Sequence, residues 1–117
     1  MNWHEVIDER SHEMHQVIAD ILRRSPEELV RVEEWIEKKM SDPVYSEGAK
    51  DAIAEWRELI RRRGVKGVLE ILDDRFGNEA QRLRQSTPFA VLMPQEKRLE
   101  ILKKYESLRT RASLAGV

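Results

Sequence analysis

An all-α fold, a compact bundle of five or six helices, follows from three features of this 117-residue chain. Ala, Glu, Lys, Leu and Arg fill 56 of the 117 positions, close to the composition of long-helix proteins. Charged residues reach 37% against a usual share of about 25%, as expected where many helices present a solvated face. Apolar residues recur at steps of three and four along most of the chain, the period of a helix stripe and not of a strand. The length suits one domain, residues 1–117.

Trp3, Val6, Ile7, Met14, Val17, Ile18, Ile21 and Leu22 form one stripe, so a first helix is predicted over residues 2–24. Ser25-Pro26-Glu27-Glu28 follows, with Ser25 suited to an N-cap, Pro26 to the first helical position and Glu28 to the reciprocal place of a capping box. A second helix carrying Leu29, Val32, Trp35, Ile36 and Met40 therefore starts at once and stops before Pro43. Ala49, Ala52, Ile53, Trp56, Leu59 and Ile60 mark a third over 46–63, which Gly64 ends as a left-handed cap. The apolar run Val65, Val68, Leu69, Ile71 and Leu72 has no strand to pair with and reads as a short buried helix. Asn78 is expected to cap a fifth helix reaching Gln85; Ser86-Thr87-Pro88 interrupts the pattern. Met93-Pro94 opens a last helix with Leu99, Ile101, Leu102, Tyr105 and Leu108, and the tail from Arg109 is expected to fray.

Charge and composition narrow the function classes. Lys+Arg 21 against Asp+Glu 22 gives no overall field favouring nucleic acid or an anionic membrane surface. The absence of cysteine removes disulfides, thiolate metal sites and a thiol nucleophile. No stretch of 18 apolar residues and no signal-like start is seen, so a cytoplasmic protein with no membrane partner is expected. No motif implies a cofactor.

Four constellations invite a chemical reading. His4, Asp8, His12 and His15 fall within about 80° of one another on the first helix, a weak candidate set of metal ligands beside the expectation of none. His4-Glu5-Val6-Ile7-Asp8 resembles the zincin motif H-E-x-x-H but lacks its second imidazole. Arg10 lies between Val6 and Met14 in the apolar stripe, where a guanidinium needs a partner; Asp73 and Asp74 are the candidate acceptors, with an interface as the other reading. Arg10 and His15 also spell the R-x4-H spacing of HEPN ribonucleases, whose dimers gather arginine and histidine around RNA; yet i and i+5 diverge by about 140° on one helix. Arg61, Arg62, Arg63 and Lys66 are the best positive patch for a nucleic-acid regulator, although nearby glutamates dilute it.

The segment Leu83 to Ala90 breaks the helical pattern with a proline and an aromatic. Two outcomes are open: Phe89 plugs one end of the bundle, or the loop docks a partner through Arg84, Gln85, Pro88, Phe89 and Val91.

Glu9-Arg10-Ser11 with His15, Ile18-Ala19, Glu55-Trp56-Arg57, Asp73-Asp74, Leu83-Arg84-Gln85-Ser86-Thr87-Pro88-Phe89-Ala90 and Glu96-Lys97-Arg98 together resemble a group of small bacterial proteins with E-R-S-x-x-x-H and L-R-Q-S-S-P-F-A segments. Thr87 replaces a serine of that pattern, and Lys97 precedes Arg98 where an arginine-initiated helix is more common. The resemblance implies the company of toxin–antitoxin or defence genes, including nucleotidyltransferase-like toxins. It carries over no catalytic residue. The expectation is thus a partner-binding, antitoxin-like protein acting by protein–protein contact on a partner encoded nearby, with a homodimer as the other assembly considered. A HEPN-like, metal-independent ribonuclease using Arg10 and His15 is the alternative, and a nucleic-acid-binding regulator the weaker one.

Overall fold

A computed structural model describes residues 2–115, with side chains through residue 109. Its elements are α1 (Trp3–Arg24), a 3-10 turn (Pro26–Glu28), α2 (Leu29–Met40), α3 (Glu47–Asp73), α4 (Asn78–Arg84), a second 3-10 turn (Phe89–Leu92) and α5 (Gln95–Ala115). The described residues form an all-α bundle of five α-helices without strands, as the periodicity predicts.

The ends of the helices show where side chains overrule simple capping rules. Asn2 and Glu5 form a reciprocal capping box on α1, whereas Ser25 makes no side-chain cap and the turn after it is 3-10. Glu28, expected to complete a box there, pairs with Arg31 at 2.8 Å. Ser46 does cap α3, accepting from the Ala49 N–H at 3.1 Å. The residue before α4 is Gly77 without a side-chain cap, so Asn78 is the first helical residue and not its cap. Beyond Arg109, where fraying was expected, the backbone stays helical to Ala115; residues 116–117 lie outside the described residues.

Gly64 ends one helical arm as expected, but no loop follows it. With φ 61 and ψ −161 it occupies a region open essentially to glycine, and a second arm resumes at once, so α3 is a kinked rod. The bend is tight. A Cβ on Gly67 would stand 2.2 Å from the Arg63 Cβ, so a second glycine is required where the new arm passes the end of the old one.

The main core gathers α1, α2, both arms of α3, α4 and the second 3-10 turn around Trp56, Phe89, Leu22, Ile36 and Leu72, all fully buried. Trp56 and Phe89 meet edge to face at 4.9 Å, and the Trp56 indole N–H donates to the Leu83 carbonyl at 2.8 Å. A smaller cluster of Val6, Ile101 and Tyr105 fastens α5 to the N-terminal half of α1. The Tyr105 hydroxyl reinforces it by donating to Glu13 at 2.7 Å.

Candidate functional site

Two regions concentrate polar chemistry, and they differ in kind. The first is the junction of α1 with α4 and the end of α3. The last carbonyls of a helix have no partner within it, and here side chains from two neighbouring helices supply them. Arg84 donates to the carbonyls of Ile71 and Asp74 at 2.7 Å each and to that of Arg75 at 3.3 Å. Gln16 of α1 donates to the Leu72 carbonyl at 3.1 Å, and Gln81 of α4 to that of Arg75 at 3.2 Å. Arg84 is 4% exposed, and burial pushes its pKa below the ordinary value against the pull of Asp74 and Asp8. The cation suits the negative end of the α3 dipole. This joint is locked further by Arg23 on Asp73 at 2.8 Å and by the Arg75–Glu9 ion pair.

His15 lies in the same joint, 3% exposed. Its Nδ1 stands 2.7 Å from the Ser11 carbonyl, which accepts only, so Nδ1 carries the proton. Nε2 is then a buried lone pair, and neither it nor His12 Nδ1 has a hydrogen-bond partner among the described residues. Burial lowers the His15 pKa to about 4 despite the Ser11 bond, and burial with Arg84 and Arg75 nearby lowers that of His12. Both imidazoles are therefore neutral near pH 7.

This geometry places each expected site residue. Ser11 and His15 of the first quoted segment sit with Arg84 of the second, so the two stretches that carry the resemblance meet in space. Arg10 does not join them. It is half-buried, and among the described residues neither Asp73 nor Asp74 pairs with it: Asp73 accepts from Gln16 and Arg23, and Asp74 from the Gly77 N–H. That expectation is corrected: Val6 and Met14, on either side of Arg10, belong to the smaller cluster under α5 and not to the main core, so the stripe at Arg10 is only half-buried and does not force a buried ion pair on its guanidinium. The arginine that is buried was missed. Its signal was present, since Arg84 shares the inward face of α4 with Ala80 and Leu83, about ten residues past a helix end in need of donors.

His4 and Asp8 are exposed while His15 is sealed, and no group of three or more His, Cys, Asp or Glu among the described residues is arranged to hold a metal ion. Around the joint, Asp8, Ser11, Gln81, Arg84 and Gln85 border a groove of about 330 Å3. The loop after α4 folds back as a plug. Phe89 is 0% exposed, Pro88 and Arg84 are buried and Val91 is half-buried, which leaves Gln85 as the exposed member of the expected docking set. Burying Phe89 against Trp56 satisfies more apolar surface than a docking loop would leave in water.

The second region is open. At the α3 kink, both arms of α3 and α4 wall a groove of about 720 Å3. Its floor is Leu59, Ile71, Ala80 and Leu83; its rim carries Glu55, Glu58, Glu70, Asp74 and Glu79 with Arg62 and Arg63. Three of the four residues expected to make a basic patch point their charge at this acidic rim or beside it. Arg62 and Arg61 pair with Glu58 at 2.8 and 4.0 Å, and Arg63 with Glu70 at 2.5 Å. Lys66 is exposed. Arg82 bridges Glu55 and Glu79 across the groove mouth, and both carboxyls are held below their ordinary pKa by that guanidinium. Among the described residues, then, the expected phosphate-binding patch is largely neutralised.

The chain matches no family model, no curated protein and no solved structure. No described helix is long and apolar enough to cross a membrane. What it does must be read from these two regions.

Proposed function

We propose that the chain is a partner-binding regulatory protein, antitoxin-like, that acts in the cytoplasm by protein–protein contact on a toxin-type protein encoded beside it. The observation that carries this reading is the groove at the α3 kink. Its volume falls in the range of roughly 300–1,000 Å3 typical of concave binding sites, and it combines an apolar floor with a charged rim. Apolar centre with polar surround is the anatomy of a protein interface. The large exposed apolar residues elsewhere, Trp3, Val30, Val44, Phe76 and Leu99, are scattered along the chain, and none of them lines this groove. The resemblance supplies the biological setting, and the pairing of Arg61, Arg62 and Arg63 with glutamates argues for a protein partner over a nucleic acid.

Co-expression with the neighbouring gene product tests this directly. Wild-type protein should co-purify with it, and Leu59→Glu, which places a charge on the half-buried floor of the groove, should not, while keeping its helical circular dichroism. Equal co-purification by both proteins contradicts the reading.

A further inference from the structure

We propose that the groove of about 330 Å3 between α1 and α4 is a binding site for a small zwitterion, an α-amino acid whose carboxylate sits on Arg84 and whose ammonium faces Asp8. The site is separate from the α3-kink groove and does not depend on the partner-binding reading.

Arg84 is a buried cation without a carboxylate. Its three hydrogen bonds, two from Nη1 and one from Nη2, all go to neutral carbonyls at and just past the end of α3, and it forms no ion pair among the described residues. Buried charges are ordinarily paired with an opposite one. The guanidinium is also only partly used as scaffold. Its Nε–H has no acceptor among the described residues, and Nη2, beside it in the same plane, has a second hydrogen to give. Unlike the unpartnered His15 Nε2, this Nε is not sealed from solvent, and the groove that Arg84 lines is the space beside it. The Nε and Nη2 edge is the one on which an oxyanion takes two parallel hydrogen bonds.

Two further donors line the same groove. Ser11 Oγ stands 3.4 Å from His15 Nδ1, but that nitrogen carries the proton it gives to the Ser11 carbonyl, so the hydroxyl cannot donate to it and its own hydrogen is free. Gln85 is exposed, and its side-chain amide makes no hydrogen bond among the described residues. A buried cation and two neutral donors without acceptors call for an anionic acceptor.

Asp8 decides between a bare anion and a zwitterion. It lines the groove, its carboxylate makes no hydrogen bond or ion pair among the described residues, and it lies within electrostatic reach of Arg84. An anion seated on the guanidinium is therefore repelled by Asp8, a dianion such as phosphate most of all. An ammonium next to the carboxylate turns that repulsion into attraction. The lining carries one positive and one negative charge, Arg84 and Asp8, which matches a ligand of net charge zero. Asp8 and Ser11 stand at i and i+3 on α1, about 5–6 Å apart at Cβ, so a ligand of a few atoms reaches both. The volume is at the low end of the roughly 300–1,000 Å3 of ligand sites, too small for a nucleotide, and Ile7 offers an apolar wall to an aliphatic side chain.

The test is an NMR titration of the full chain, followed at the Arg84 Nε–H resonance and assigned through its own side chain. L-leucine should shift that resonance saturably, and glycine, which carries the two charges alone, should shift it in the same direction with weaker affinity. Isocaproate, which lacks the ammonium, and isoamylamine, which lacks the carboxylate, should each bind about tenfold or more weakly than L-leucine. Asp8→Asn should lower the L-leucine affinity by a similar factor without weakening isocaproate, and Ser11→Ala should lower it by less. Neither substitution touches the Arg84 bonds to the end of α3, and Asp8 is exposed, so both variants should keep the wild-type fold. Absence of a saturable shift with L-leucine, isocaproate or inorganic phosphate binding as tightly as L-leucine, an equal shift from sodium chloride at matched ionic strength, or indifference of L-leucine binding to Asp8→Asn overturns the proposal.

Discussion

The α1–α4 joint and the α3-kink groove are built from the same residue types, yet they behave as opposites. In the joint, Arg84 is buried and its hydrogen bonds go to main-chain carbonyls that have nowhere else to turn. In the groove, Arg62, Arg63 and Arg82 are half exposed and bond carboxylates that water or another cation can serve equally well. A guanidinium that closes a helix end is part of the scaffold; one held in an exposed ion pair is available for exchange. The difference teaches that polar density alone does not mark a binding site, and that the availability of the partners' alternatives does.

If the joint and its plug are scaffold, substitutions there should be read in stability. Phe89→Ser empties the place beside Trp56 and adds a hydroxyl to the core, so the largest loss, about 3–5 kcal/mol in urea denaturation, is expected there. An unchanged unfolding midpoint would return the loop to the role of a docking surface. Next comes Arg84→Met, which leaves the Ile71 and Asp74 carbonyls without their donor and should cost about 3 kcal/mol. Arg10→Ala is the control for it, and should cost less than about 1 kcal/mol because no buried pair is broken. A reversal of that order would mean the wrong arginine has been assigned to the scaffold.

The joint also predicts a pH dependence. His15 has a folded pKa of about 4, below the 6.5 of an unfolded histidine, so the unfolded chain binds more protons between those values. Stability is therefore complete above about pH 6.5 and declines as the pH falls toward 4, by about 3 kcal/mol at most from this group. The lowered pKa of His12 acts in the same direction. Denaturant midpoints measured from pH 7 to pH 4 should show this decline, and His15→Leu should flatten it. An identical slope in the variant would assign the dependence elsewhere.

Much of the fold was legible because it depends on local rules. The three-and-four spacing located α1 and α2, and Gly64 was readable as a break because few other residues accept a positive φ. The apolar run Val65 to Leu72, read as a short buried helix, is the second arm; the close passage of Gly67 and Arg63 at the bend is the part that no local pattern encodes. The sites were less legible. The stripe placed Arg10 correctly on the inward side of α1, but whether that side meets the deep core or the shallower α5 contact is decided by tertiary packing. Arg84 was visible as a charge on the apolar face of α4, while its true acceptors are backbone carbonyls, which carry no residue signature. The groove was the least visible of all, because its walls come from residues 55–63, 70–74 and 79–83, brought together by one glycine torsion.

The central proposal, that the kink groove and not the joint meets a protein partner, can be tested by carbodiimide labelling of carboxylates in the free chain and after mixing with the proposed neighbour-encoded partner. The account predicts that Glu55, Glu58, Glu70 and Glu79 lose reactivity on binding, while Asp8 beside the joint and the exposed Glu34 and Glu47, which do not line the groove, keep theirs. Protection of Asp8 with continued labelling of Glu58 and Glu70 would contradict it.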